Sequence, residues 1–204
     1  MQIEKMKSTA KFMNTGAKVV GGIFGACAIV CAVFAVMVAV PAEVPGQYIF
    51  DTGSFTMNIG YLTLHLAEDF PVDINLIKWF ACVGLVGLAV IFLLVKQACV
   101  HLRAILTPME EGRPFEPGTP GSLRKIAWLT LIGGGVFQFL LFVEVELLSR
   151  ACPMDVILSS AAIETYEYNF TLDFSFVWVV CFILFLSYIF SYGQKLQQES
   201  DETL

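Results

Sequence analysis

Three polar residues interrupt one of the long apolar segments of this sequence, and they are its strongest candidates for chemistry. Gln138, Glu144 and Glu146 lie within the third of four long apolar segments. A carboxylate in such a segment is costly unless it is paired or hydrated, so it marks an ion or proton site by default. Glu146 precedes Arg150 by four residues, which favours an ion pair on one helix face. Glu144 has no such neighbour, so an ion or proton site and a purely structural role are both open for it.

The other reactive residue types form no recognisable catalytic set. Cys27 and Cys31 share a helix face, which could suit a redox or metal-binding pair, but buried cysteine usually acts as a small hydrophobic residue, and we favour that interpretation. The run from His65 to Asp73 contains a histidine and three acids, but their spacing matches no closed set of metal ligands. The sequence has no nucleophile beside a base, no phosphate-binding loop and no dinucleotide motif. We therefore expect no enzyme activity, no metal and no cofactor.

Four apolar segments must position these residues. They cover 19–40, 76–97, 126–148 and 174–192, each close to the roughly 20 residues that a helix needs to cross a bilayer. Hydrophobic residues make up 57% of the chain, which exceeds the usual fraction in soluble domains. The sequence therefore predicts an all-α membrane protein whose 204 residues form a single domain, a four-transmembrane-helix bundle.

The basic residues predict the orientation of this bundle. Of 12 lysines and arginines, only Lys78, near the start of the second segment, and Arg150, just after the third, remain for the other side of the membrane. The positive-inside rule then places both termini and the second connection in the cytoplasm. The cytoplasmic parts would be the loop 98–125 and the tail 193–204, and the exported loops would be 41–75 and 149–173. Half of the 18 acids lie in the exported loops, and the net charge of −6 argues against direct nucleic-acid binding.

Alternating apolar residues in the exported loops predict a small β-sheet cap outside the membrane. Residues 48–52 and 55–61 flank a Gly53–Ser54 turn and fit a β-hairpin. The apolar positions change parity at Gly60, which we interpret as a bulge or bend. Residues 166–174 alternate in the same way and supply a third strand, because three strands are more stable than an isolated hairpin. A cap built from the two exported loops would be a natural site for an extracellular ligand.

A stripe of small residues in the first segment predicts a contact between helices. Its members recur at alternating steps of four and three residues: Gly21, Gly25, Ala28, Ala32, Ala35 and Ala39. Small side chains let two backbones approach closely, which drives helix association in lipid. The contact would stabilise the fold or a homo-oligomer. In the third segment, Gln138 would be a polar contact between helices or, alternatively, a substrate contact.

The cytoplasmic loop contains two signals for the start of a helix. Thr107–Glu110 fits a capping box with proline at the first helical position, and Thr119–Pro120 precedes the third segment. Between them lies Gly-Arg-Pro-Phe at 112–115, which is followed by Leu-Arg-Lys-Ile at 123–126 and by the polar tail 192–204. Together, these residues resemble the bacterial membrane family called domain of unknown function 2975.

The resemblance implies a four-span protein of the bacterial cytoplasmic membrane with no established activity. Members of that family are often encoded beside a small helix-turn-helix regulator, which implies a signalling or regulatory protein that docks this soluble partner. The candidate docking residues are Arg113, Phe115, Gln197, Gln198, Glu199 and Asp201. Phe115 would anchor the partner or, alternatively, pack against the ends of the helices.

Two other functions are open. A small transporter, channel or immunity-type membrane subunit would use Gln138 and Glu144 to line a polar path. A purely structural membrane subunit would leave all chemistry to its partner.

Overall fold

Four long helices make up most of the computed structural model, which describes residues 2–40, 56–59, 62–65, 74–113, 115–151 and 173–202. The helices are α1 (Gln2–Ala39), α2 (Ile74–Glu111), α3 (Thr119–Ala151) and α4 (Ser175–Glu202). Two short strands, β1 (Thr56–Ile59) and β2 (Leu62–His65), lie between α1 and α2 in the sequence.

Each helix is long and apolar enough to cross a membrane, so the chain is a multi-pass membrane protein. At a rise of 1.5 Å per residue, the 38 residues of α1 and of α2 extend about 57 Å, whereas the hydrocarbon core is about 30 Å thick. Large apolar side chains are exposed along all four helices; Trp178 is 79% exposed and Ile29 is 67% exposed. Apolar exposure on this scale is typical of a surface that lipid covers.

The chain divides into two compact units. Unit 1 contains residues 1–30, 87–138 and 172–204, and unit 2 contains residues 31–86 and 139–171.

Within unit 1, α1 packs against α2 through glycines. A methyl group at Gly21 would lie 3.2 Å from Cβ of Cys99, and one at Gly25 would lie 3.2 Å from Cδ of Lys96. The rings of Phe24 and Phe92 lie beside this contact, with centroids 5.4 Å apart. The missing side chains of the two glycines therefore set how closely the helices approach.

The structure buries Gly21, Gly25, Ala28 and Ala35 of the predicted stripe, but it leaves Ala32 and Ala39 exposed. Cys31 and Val38, each one position earlier, are partly buried instead. A helix stripe keeps an average spacing of 3.5 residues whether the step of three or the step of four comes first. Small size alone therefore did not indicate which positions of α1 are buried within the chain. A contact at Ala32 and Ala39 with a second copy stays a prediction.

Polar residues continue the α1–α2 contact beyond the apolar segments. Nε of Arg103 donates to Oδ1 of Asn14 at 3.1 Å, and Nδ2 of Asn14 donates to Oε1 of Glu110 at 2.8 Å. Ala10 and Ala17, which flank Asn14, are buried. This network explains why both helices continue well past the predicted spans.

The capping box predicted at Thr107–Glu110 is wrong, because α2 continues through Pro108 to Glu111. The Thr107 hydroxyl donates to the Arg103 carbonyl at 2.9 Å, so it bonds back along the helix and does not cap a new one. The helix ends at Gly112, which has a φ of 87°. Gly112 N donates to the Met109 carbonyl and Arg113 N to the Pro108 carbonyl, the bond pattern of a Schellman motif.

The second predicted start is correct, since α3 begins at Thr119 with Pro120 in its first turn. In unit 1, α3 contacts α2 where a methyl group at Gly133 would lie 3.7 Å from Leu94. It approaches α4 more closely, because a methyl group at Gly134 would lie 2.4 Å from the Phe176 ring. Only glycine permits this approach.

The two strands form an antiparallel pair in which Ile59 pairs with Leu62 and Thr56 with His65. The chain therefore reverses between Ile59 and Leu62, where the sequence predicts a bulge or bend within one strand. This reversal explains why the apolar positions change parity, because the alternation of apolar and polar residues begins anew in the second strand. The proposed strand 48–52 lies outside the described residues, as does most of 166–174. The described residues thus support a two-stranded sheet and not the three-stranded cap.

A carboxylate caps the start of α4. Oδ1 of Asp173 accepts a hydrogen bond from Ser175 N at 2.8 Å, and Oδ2 accepts one from the Ser175 hydroxyl at 3.0 Å. These bonds favour the charged carboxylate, so the backbone bond first and the hydroxyl bond second lower the pKa of Asp173.

We predict that Ala28→Leu destabilises the protein by about 1–3 kcal/mol, because a larger side chain overpacks the buried α1 contact. Ala32→Leu is the matched control, since Ala32 is exposed and its added methyl groups would face lipid. The measurement is the free energy of unfolding in detergent. Equal losses for the two variants would contradict the buried contact at Ala28.

We predict a pH-dependent stability at Asp173. Its contribution should be complete above the ordinary pKa of 3.8 and should disappear as the pH falls through the lowered pKa, because protonation weakens both bonds. Asp173→Asn retains an oxygen acceptor and should remove this dependence. The melting temperatures of the two proteins would be compared from pH 6 to pH 3; parallel curves would rule out the carboxylate cap.

Candidate functional site

The segment between α2 and α3 carries the Arg-Pro-Phe residues of the predicted docking region. Nη1 of Arg113 lies 2.8 Å from Oε2 of Glu116, and Nη2 contacts the Glu111 carboxylate. The hydrogen bond to Glu111, followed by the charges of Glu116 and Glu111, raises the pKa of Arg113. Arg113, which the sequence predicts to be a docking residue, thus already pairs with two acids close to it in the chain.

Phe115 attaches this segment to α4. Its ring lies 5.9 Å from the ring of Phe190 between centroids. A methyl group at Gly193 would lie only 2.6 Å from Cε1 of Phe115, so the glycine makes room for the ring. Phe115 remains 39% exposed. The structure therefore places Phe115 against the helix end, the alternative to a partner anchor, while leaving part of the ring accessible.

Two polar side chains of α4 add to this attachment. Nε2 of Gln194 donates to the Glu116 carbonyl at 2.5 Å, and the Ser187 hydroxyl donates to the Pro120 carbonyl at 3.0 Å. Ser187 is almost fully buried. The start of α3 and the segment before it are thus held to α4 at several successive turns.

These contacts leave a groove of about 450 Å³ along the tail of α4, which we call the tail groove. Its lining residues come from the connecting segment and from one face of α4: Arg113, Phe115, Glu116, Pro117, Gln194, Gln197, Gln198 and Glu202. The segment and the tail are about 80 residues apart in sequence, as the 78-residue separation of Glu116 and Gln194 illustrates.

Four of the six predicted docking residues, namely Arg113, Phe115, Gln197 and Gln198, line the tail groove. Glu199 lies on the same helix without lining it, and the side chain of Asp201 is outside the described residues. Sequence reasoning missed Glu116, Pro117, Gln194 and Glu202. For α4, the sequence did contain a signal: positions 194, 198 and 202 recur every four residues and therefore share one helix face.

The tail groove is acidic. Its lining contains one cation, Arg113, and two carboxylates, Glu116 and Glu202, which leaves a net charge of −1. Gln198 is oriented by its hydrogen bond to Glu202 at 3.1 Å. Gln197 forms no hydrogen bond with another residue in the part of the chain that the structure describes, so its amide is available to a bound partner.

Gln138 has a partner between helices, as its position in an apolar segment requires. Its Nε2 donates to the Asp173 carbonyl at 3.0 Å, immediately before α4. Its Oε1 is buried and accepts no hydrogen bond from the described residues. The contact stabilises the α3–α4 arrangement within unit 1.

The two acids of α3 differ in their surroundings. Glu146 pairs with Arg150, whose Nη2 lies 2.6 Å from Oε1. Glu144 points toward α2, where a methyl group at Gly84 would lie 2.8 Å from its Oε1. Glu144 has no ion pair or hydrogen bond with any residue that the structure describes. Gly84 therefore leaves space for a carboxyl group that no described side chain neutralises.

Reactive residues elsewhere do not form a site among the described residues. Cys27 and Cys31 are free and partly buried. Within the described ranges, no group of three histidine, cysteine or acidic side chains converges to hold a metal ion. The side chains of the His65–Asp73 run lie outside those ranges.

Comparison with known proteins gives one match. The family described as "Protein of unknown function (DUF2975)" matches residues 65–204. This region contains α2, α3, α4 and every lining residue of the tail groove. No curated protein and no solved structure matches the chain. Since the family model covers more than half of the 204 residues, the chain belongs to the DUF2975 family.

Proposed function

We propose that this protein is a non-enzymatic signalling or regulatory protein of a bacterial cytoplasmic membrane that docks a soluble helix-turn-helix partner in the tail groove. One observation carries the proposal. Two segments about 80 residues apart, both within the family match, meet to line a single open groove. A chain that only needed to span the membrane would not require this arrangement.

The charge of the tail groove fits the proposed partner. A helix-turn-helix protein presents lysines and arginines to the phosphates of DNA. The tail groove has a net negative lining, because it contains two carboxylates and one cation. Complementary charge accelerates encounter and selects against wrong partners. Docking through its basic surface would keep such a regulator from DNA.

The orientation supports the same function. The distribution of basic residues puts the central segment and the tail on the cytoplasmic side, with both termini. A soluble regulator would thus reach the groove. We propose that β1 and β2 belong to an exported cap, which residues 166–174 would complete and which would receive the signal.

A small transporter, channel or immunity-type subunit is the alternative, and Glu144 is the observation that favours it. An intramembrane acid without a partner among the described residues is a candidate for ion or proton binding. Glu146 does not extend such a path, because it is paired with Arg150.

We predict that Glu202→Lys weakens docking about tenfold or more, because it places a positive charge in the groove opposite a basic partner. Glu199→Lys makes the same change in net charge on the same helix but outside the lining, so it is the matched control. The measurement is co-purification with a tagged helix-turn-helix regulator of the native host. Deletion of residues 197–204 provides the reference for complete loss.

The three variants separate the outcomes. Loss of docking with Glu202→Lys and retention of docking with Glu199→Lys would support binding in the tail groove. Equal loss of docking in Glu202→Lys and Glu199→Lys would show that docking depends on the overall charge of the tail. Wild-type yield from the deletion would eliminate the docking proposal.

We predict that Gly193→Ala detaches the connecting segment from α4, because its methyl group would overlap the Phe115 ring. Hydrogen–deuterium exchange of residues 112–119 should increase, and docking should weaken. Gly118→Ala is the control, since no atom lies within 4 Å of a methyl group there. Unchanged exchange in Gly193→Ala would mean that Phe115 does not hold the segment.

A further inference from the structure

A second cavity, of about 200 Å³, lies within unit 2 where α1 ends and α2 begins. Its walls are Val38, Ala39, Val40, Asn75, Lys78, Trp79 and Cys82. Beneath it, the Cys82 thiol donates to the Ala35 carbonyl at 3.8 Å. This contact joins the two helices at the cavity, whose lining combines apolar residues with the polar groups of Lys78 and Asn75.

Lys78 gives the cavity a positive charge. It is partly buried, and it forms no ion pair with any residue in the described ranges. Arg150, the other basic residue predicted outside the membrane, differs because the Glu146 carboxylate neutralises it at 2.6 Å. The two cations thus provide a comparison between a charge that no described residue pairs and one that Glu146 already pairs.

The size and depth of the cavity restrict what it binds. Cavities that enclose whole drug-sized ligands measure about 300–1,000 Å³, so this one accommodates only part of a molecule. It lies at the ends of two apolar helices, the depth at which the headgroups of phospholipids lie. Next to it, Trp79 is 63% exposed and Val36 is 64% exposed, and these side chains offer an apolar surface to acyl chains.

We propose that this cavity binds the phosphate of a phospholipid headgroup, with the Lys78 ammonium as its counter-charge and the acyl chains along Trp79 and the neighbouring valines. A lysine is a compact charge on a flexible stem, which suits a phosphate group. A tryptophan at this depth places its apolar ring against lipid and its polar edge toward the headgroups. The site is independent of the tail groove.

The test is native mass spectrometry of the full-length protein in detergent with added phosphatidylglycerol, diacylglycerol or inorganic phosphate. Wild-type protein should retain phosphatidylglycerol more strongly than diacylglycerol, which lacks the phosphate. Lys78→Gln should reduce retention about fivefold, which corresponds to about 1 kcal/mol per basic residue near anionic lipid. Lys78→Arg should restore retention, and Arg150→Gln should leave it unchanged.

Four results would overturn the proposal. Equal retention of diacylglycerol and phosphatidylglycerol would show that the phosphate is not recognised. Equal losses in Lys78→Gln and Arg150→Gln, or no loss in Lys78→Gln, would show that Lys78 does not supply the counter-charge. Displacement of the lipid by millimolar inorganic phosphate would identify a site for a free anion.

Discussion

A bilayer contains no water to satisfy a peptide group, and this constraint governs the fold. Every backbone amide in the hydrocarbon region must bond within its own helix, so four uninterrupted helices are the available solution. Lipid also removes the hydrophobic drive that would hold helices together in water. Association then depends on close approach at small residues, such as Gly21 against Cys99 and Gly134 against Phe176. A few side chains that bond to carbonyls, including Ser187 and Gln138, add direction to these contacts.

The same constraint decides what the sequence could predict. The four apolar segments were visible because their composition is dictated by lipid. The polar extensions of α1 and α2 were not, since Asn14, Arg103 and Glu110 stabilise them through contacts between residues about 90 positions apart. The false helix start at Thr107 has the same origin. Its hydroxyl has an alternative acceptor in the preceding turn, and a local motif cannot show which acceptor is used.

The candidate site was also predictable only in part. Arg113, Phe115, Gln197 and Gln198 were identified as two separate segments, and the structure brings them into one groove. Their individual roles depended on neighbours that spacing does not reveal. Arg113 is neutralised by Glu111 and Glu116. The parity change at Gly60 was ambiguous for a related reason, because a bulge and a strand reversal both shift the apolar alternation by one position.

The chemistry of the tail groove bears on the kind of interaction it would support. Permanent interfaces are large and hydrophobic, whereas this lining is mostly glutamine and glutamate with one half-exposed aromatic ring. Several of its polar groups already bond within the protein, including Gln194 to Glu116 and Gln198 to Glu202. A partner would gain its affinity from charge, from Gln197 and from the accessible part of Phe115. Binding of that kind is moderate in strength and sensitive to salt. A releasable regulator therefore fits the groove better than a permanent subunit does.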